Sequence, residues 1–394
     1  MSGLSGSTAA SLDVSLQNTN PDLAVAIPPI ATPTDAWRPL PSATSRSISS
    51  YLSIYKQLAK GRLSAWIVLT AMAGYAMSTS TSSALNDFRV TTLLATAAGT
   101  ALCSASANTF NQLIEIPYDA QMPRTAKRPL PSHLITPLHA FTFGSVTAVS
   151  GVALLYGCVN PLTASLGLLN IILYAGVYTP LKRLSVVNTW IGALVGGIPP
   201  LMGWAACTNS LDPFSGQAGA WVLATILFAW QFPHFNSLSW TIRSEYARGG
   251  YRMLSALNPA MNARVSLRWT VAGALAAGVA APMVGLTSWA VGLATLIPSG
   301  ALGVCAWKFW RAGSKASLEK ARQLGIPAAA PGARATDRDP RDASARSLFF
   351  VSLVHLPALL FMMMAGKIWG NYQEKAEASK VAESMEGEGA TLQS

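Results

Sequence analysis

Apolar residues fall along this chain in long blocks, not in the strict alternation of a strand or the narrow stripe of a surface helix. Blocks long enough to cross roughly 30 Å of hydrocarbon as helix lie near 64–82, 90–112, 134–156, 161–179, 188–207, 217–240, 266–284, 287–310 and 346–366. The pattern predicts an all-α polytopic membrane protein with nine transmembrane helices. The sixth block runs into a polar stretch and the seventh is rich in Ala and Gly.

The flanks read differently. Residues 1–50 are rich in Ser, Thr, Ala and Pro without a helical period, and are expected to be a disordered N-terminal extension or targeting segment. They contain Asp13, Asp22 and Asp35 but no run of arginines, so targeting is not established by them. A basic, amphipathic approach, "SYLSIYKQLAKGRLS", carries Lys56, Lys60 and Arg62 into the membrane domain of 51–366. Within it, residues 325–345 are expected to form a mobile linker, and 367–394 an acidic disordered tail.

Charge supports this layout. Only 11% of residues are charged, against about a quarter in soluble chains. The net charge of +11 is sorted by side. Arg124, Lys127 and Arg128 follow the second block, Lys182 and Arg183 the fourth, Arg243 to Arg268 the sixth, and a long basic connection the eighth. The opposite connections carry almost none, with Arg89 alone after the first. This asymmetry puts the N-terminus and the basic loops on the inner side, with the C-terminus opposite. The basic excess is therefore a topology signal, and nucleic-acid binding is excluded. Cys103, Cys158, Cys207 and Cys305 lie singly in apolar runs, as packing residues do.

The costly groups sit where the second block ends, in "NQLIEIPYDAQMPRTAKRPLP" (Asn111–Pro131). Asn111, Glu115 and Asp119 recur every fourth residue and drift by only about 40° per step, so they share one helical face. Pro117 lies between the acids, where the helix kinks or ends. Each ionisable group in a membrane helix costs about 2.5–3.5 kcal/mol on insertion scales and marks function. Carboxylates with an amide oxygen suit Mg²⁺, which binds through one or two carboxylates plus substrate phosphates. Arg124, Lys127 and Arg128 are phosphate-gripping groups. Acids for a metal beside bases for phosphate point to a diphosphate on a lipid-like tail. The plainer reading is an interfacial loop whose charges face water; it accounts for the bases but not the acids.

That stretch resembles the first motif, N-x-x-x-E-x-x-x-D-x-x-M-x-R-T-x-x-R-P, of the haem-farnesylating branch of the UbiA-type intramembrane prenyltransferases. Asn111, Glu115, Asp119, Met122, Arg124, Thr125, Arg128 and Pro129 all fit. "YTPLKR" (Tyr178–Arg183), "NTWIGALVGGIPPLMGW" (Asn188–Trp204), "WQFPHFNSLSWTIRSEYARGGYRMLS" (Trp230–Ser255) and "RSLFFVSLVHLP" are similar to further family segments, the last to the mitochondrial branch. The resemblance covers about residues 50–366.

It implies nine helices around a central cavity and transfer of farnesyl from farnesyl diphosphate to a vinyl group of haem B. Mg²⁺ would sit on Asn111, Glu115 and Asp119, and water would supply a hydroxyl to give haem O. It further implies the mitochondrial inner membrane, with active loops facing the matrix, and haem A synthase downstream. Arg124, Lys127, Arg128 and Arg243 are implied diphosphate contacts; Lys182 and Arg183 are either further contacts or topology anchors. Glu245 stands where this branch carries Asp, to bind Mg²⁺ or orient Arg243. His234 stands where the wider family carries an acid, and is open to ligating haem iron, lining the cavity or capping a helix. Asn236 and Tyr178 are candidate cavity residues. Two alternatives stay open: prenylation of an aromatic quinone precursor, and a non-catalytic haem or lipid transporter.

Overall fold

The computed structural model describes residues 47–78, 90–313 and 340–391. The described residues form helices and no strand: α1 (Ile48–Leu58), α2 (Gly61–Ser78), α3 (Val90–Asp119), α4 (Pro137–Cys158), α5 (Pro161–Leu184), α6 (Asn188–Thr208), α7 (Ala218–Thr241), α8 (Arg243–Arg248), α9 (Pro259–Met283), α10 (Trp289–Ala312) and α11 (Pro340–Thr391). Seven of them (α3, α4, α5, α6, α9, α10 and α11) are long and apolar enough to cross a membrane by length and composition. The nine expected spans also include α2 and α7, which fall outside that set: Arg62 opens α2, and Gln231 and His234 interrupt α7.

Local chemistry fixes several helix starts. Thr136, Asn160 and Asn258 each precede a proline and accept the backbone N–H three residues on, capping α4, α5 and α9. Ser288 caps α10 in the same way. Asn209, at φ 51°, ends α6 in the left-handed region. Pro117 does not end α3, which continues to Asp119 and keeps both acids on one helix.

Helices adjacent in sequence pack against each other, so α2–α6 form one group and α7, α9, α10 and α11 a second. The α6–α7 contact joins them, and Lys367 of α11, donating to the Met77 carbonyl of α2, closes the ring. Large apolar side chains such as Leu138, Phe141, Val149, Ile297 and Phe361 point outward, as a lipid-facing surface requires. At the foot of α11, Asp342 accepts from Trp240 Nε1 (2.8 Å) and Arg243 (3.2 Å), while Arg341 stacks on Trp240 at 4.3 Å.

Where α2 crosses α6, backbone meets backbone. A Cβ on Gly203 would lie 1.7 Å from the Ala71 carbonyl oxygen, and one on Gly74 2.1 Å from that of Pro200. Small residues permit such approaches in membranes. We expect Gly203→Ala to force the helices apart and cost at least about 1–3 kcal/mol of stability. A lower thermal unfolding midpoint in detergent checks this; an unchanged midpoint contradicts it.

Two stretches loosen to π-helix, Ile172–Tyr178 in α5 and Ala276–Ala280 in α9. The first precedes Lys182 and contains Tyr174, whose hydroxyl donates to Asn108 Oδ1 of α3 at 3.2 Å, and Tyr178, whose ring lies against Gly192 of α6. Two flanking expectations change. α11 starts within the expected 325–345 linker, and its backbone stays helical to Thr391, through the acidic segment expected to lack structure. Residues 1–46 and 314–339 lie outside the described residues.

Candidate active site

The C-terminal end of α3 brings Asn111, Glu115 and Asp119 to one buried face, at 0%, 4% and 1% exposure. Each meets a cation of the chain. Lys60 Nζ donates to Asn111 Oδ1 at 2.6 Å, and Lys182 Nζ to Glu115 Oε1 at 2.7 Å. Arg128 donates to Asp119 Oδ2 at 2.5 Å and lies 3.9 Å from Glu115 Oε2. Asp119 Oδ1 is buried and has no hydrogen-bond partner among the described residues. Thr125 Oγ1 donates to the Asp119 carbonyl at 2.9 Å, which folds the following loop back so that Arg128 faces the acids.

Other helices hold the cations in place. Asn111 Nδ2 donates to Thr179 Oγ1 (2.9 Å) on α5, and Lys60 reaches the Tyr174 hydroxyl at 3.3 Å. Lys182 also lies over the Tyr178 ring at 4.6 Å, so Tyr178 serves as a wall beneath the ammonium. Lys60 occupies the α1–α2 turn at φ 47°. Burial of its ammonium end, then repulsion from Arg128 and Lys182, lowers its pKa to about 7.

The remaining candidates lie further out or elsewhere. Arg124 and Lys127 are exposed; Arg124 faces Glu245 at 3.9 Å. Arg183 stacks on the Tyr118 ring at 4.1 Å and pairs with no acid among the described residues. Arg243, expected on a diphosphate, instead lies over Trp240 at 4.1 Å and pairs with Asp342. Glu245 consequently does not orient it. His234, expected to ligate, line or cap, binds Ser352 Oγ at 2.9 Å and stacks on Trp230 at 4.5 Å, joining α7 to α11. Asn236 exchanges hydrogen bonds with Asn262 of α9, side chain to carbonyl at 3.3 and 3.2 Å, and so clasps two helices.

Comparison with known proteins gives three concordant results. The pattern of the UbiA prenyltransferase family matches residues 67–325. A Homo sapiens protein named protoheme IX farnesyltransferase, mitochondrial, is 43% identical over 314 residues, covering 80% of this chain and 62% of that protein. One of the same name from Yarrowia lipolytica is 41% identical over 333 residues, covering 84% and 65%. The matched part thus spans somewhat under two thirds of these relatives. A solved structure concerning digeranylgeranylglyceryl phosphate synthase shares the fold at TM-score 0.58 and 14% identity, covering 81% of this chain and 99% of that one.

Proposed function

The chain belongs to the UbiA prenyltransferase family, and on that premise we propose that it moves a farnesyl group from farnesyl diphosphate to a vinyl group of haem B. The observation that carries the proposal is the buried Asn111–Glu115–Asp119 face met by Lys60, Lys182 and Arg128 at a membrane edge. Haem B as acceptor and a mitochondrial location are supported by the names of the relatives; the inner membrane, with this edge toward the matrix, belongs to the proposal and rests on the basic loops gathered on this side.

The donor set suits Mg²⁺: two carboxylates and an amide oxygen, all hard ligands, with Asp119 Oδ1 lacking a partner. Asn111, Glu115 and Asp119 would hold the ion, which when bound offsets the charge on the departing diphosphate. The basic groups supply the rest. Lys60, Lys182 and Arg128 donate to phosphate oxygens where negative charge grows, which favours breaking the bond from farnesyl carbon to oxygen. Arg124 and Lys127, exposed at the rim, attract the anionic head from solution. The apolar interior keeps bulk water from the electron-deficient farnesyl carbon until the vinyl group attacks it. A water molecule then adds its oxygen to the resulting cation and releases a proton, giving the hydroxyl of haem O.

The test uses protein purified in detergent with haem B, farnesyl diphosphate and Mg²⁺, followed by chromatography of the extracted haems. A more hydrophobic haem should replace haem B. Haem B returned unchanged, with farnesyl diphosphate intact, overturns the proposal.

A further inference from the structure

Among the described residues, the buried polar atoms without a hydrogen-bond partner include Asp119 Oδ1, Glu245 Oε2, Arg183 Nε and Tyr251 Oη, all near the outer end of the site. The first two accept protons; the last two carry them. A buried tyrosine hydroxyl ordinarily finds an acceptor, yet Tyr251 is 5% exposed and its hydroxyl has none.

The chain fixes this side chain firmly. Gly250, at φ 70°, turns the backbone in the left-handed region immediately before it. Tyr251 N–H donates to the Tyr246 carbonyl at 2.9 Å, and Arg252 N–H to the Lys182 carbonyl at 2.7 Å. Asn188 Nδ2 holds the Arg252 carbonyl at 3.0 Å. The loop is thereby fastened to the end of α5 that delivers Lys182 to Glu115. The rings of Tyr118 and Tyr246 pack edge-on against Tyr251, at 6.0 and 5.9 Å between centroids. Burial, and then the charges of Glu115 and Asp119, push the phenol's pKa far above its ordinary value. The hydroxyl therefore keeps its proton and lies within the field of the acid face.

A fixed, protonated donor with no acceptor among the described residues, on a loop tied to Lys182 and within the field of Glu115, Asp119 and Arg128, is arranged for an incoming oxyanion. We propose that Tyr251 is a substrate-binding residue whose hydroxyl donates to a phosphate oxygen of the prenyl diphosphate. This rests on reading the chain as an enzyme that uses a prenyl diphosphate.

Calorimetric titration of farnesyl diphosphate with Mg²⁺ into wild type and Tyr251→Phe tests it, with thermal unfolding of both proteins free of ligand. The variant should bind farnesyl diphosphate about 10-fold more weakly, the loss of one hydrogen bond to a charged group. Its ligand-free midpoint should be unchanged or higher, because removing an unpartnered buried hydroxyl leaves nothing unmet. Equal affinity in the two proteins overturns the donor role while leaving the proposed reaction standing. A lowered ligand-free midpoint overturns it too, since the hydroxyl then has a partner within the fold. Failure of wild type to bind farnesyl diphosphate overturns both.

Discussion

On the proposed reaction, Glu115→Gln and Asp119→Asn are each expected to lower the rate of haem O formation by on the order of 1000-fold, the scale of removing one preorganised charge-stabilising group, while the protein should still insert and purify as wild type does. The amides match the acids in size and can still accept from Lys182 and Arg128, so the packing around α3 is kept. What they lose is charge: an amide oxygen can still ligate a hard divalent ion but offsets none of its charge, so a site left with a single carboxylate holds the ion more weakly. Extracted haems, chromatographed after single-turnover incubation, provide the measurement. Near-normal rates in both variants would sink the assignment of this face.

Lys182→Met gives the second large effect, and it falls on stability as well as rate. The Lys182–Glu115 pair is nearly sealed, at 12% and 5% side-chain exposure, with the next cation 3.9 Å away at Arg128. Removing one partner of such a pair costs about 3–5 kcal/mol, because the other is left charged in a medium that cannot solvate it. A large drop in thermal midpoint is expected, together with loss of turnover. Combining Lys182→Met with Glu115→Gln should restore most of the midpoint and none of the activity, since the buried charge is gone but so are the proposed metal ligand and phosphate donor. A double variant as unstable as Lys182→Met alone contradicts this account.

The acid face was legible in the sequence because its spacing is intrinsic to the helix: positions four apart stay aligned in any α-helix, and α3 carries them through Pro117. Arg128 was legible for a related reason, lying within one short loop of its partner. Lys60 was not. It reaches Asn111 across 51 residues from a left-handed turn, and no local period relates the two. The same limit explains Arg243 and His234, whose partners Asp342 and Ser352 lie 99 and 118 residues downstream. Composition could identify them as polar groups in an apolar setting, but not say which helix would meet them. Hydropathy blocks located the bundle well; α2 sits at the margin because exposed Arg62 opens it, and α7 because Gln231 and His234, which bond to neighbouring helices, dilute its apolar character.

The clasp at the foot of α11 has a practical consequence. The chain leaves the described bundle after Gly313 and re-enters at α11, where Arg341 Cδ would lie 3.3 Å from a Cβ on Gly313. Trp240, Arg243 and Asp342 secure the returning end. Because departure and return points adjoin, the number of residues between them is nearly decoupled from the packing; each doubling of a flexible connection costs only about 0.6 kcal/mol. Gly313 and Arg341 are therefore adjoining attachment points, between which an affinity tag or fluorescent reporter can be carried without separating α10 from α11. Trp240 and Arg243 hold Asp342 at the end of α7 that leads into the loop bearing Tyr251, so a reporter there would sit on the side proposed to receive the diphosphate.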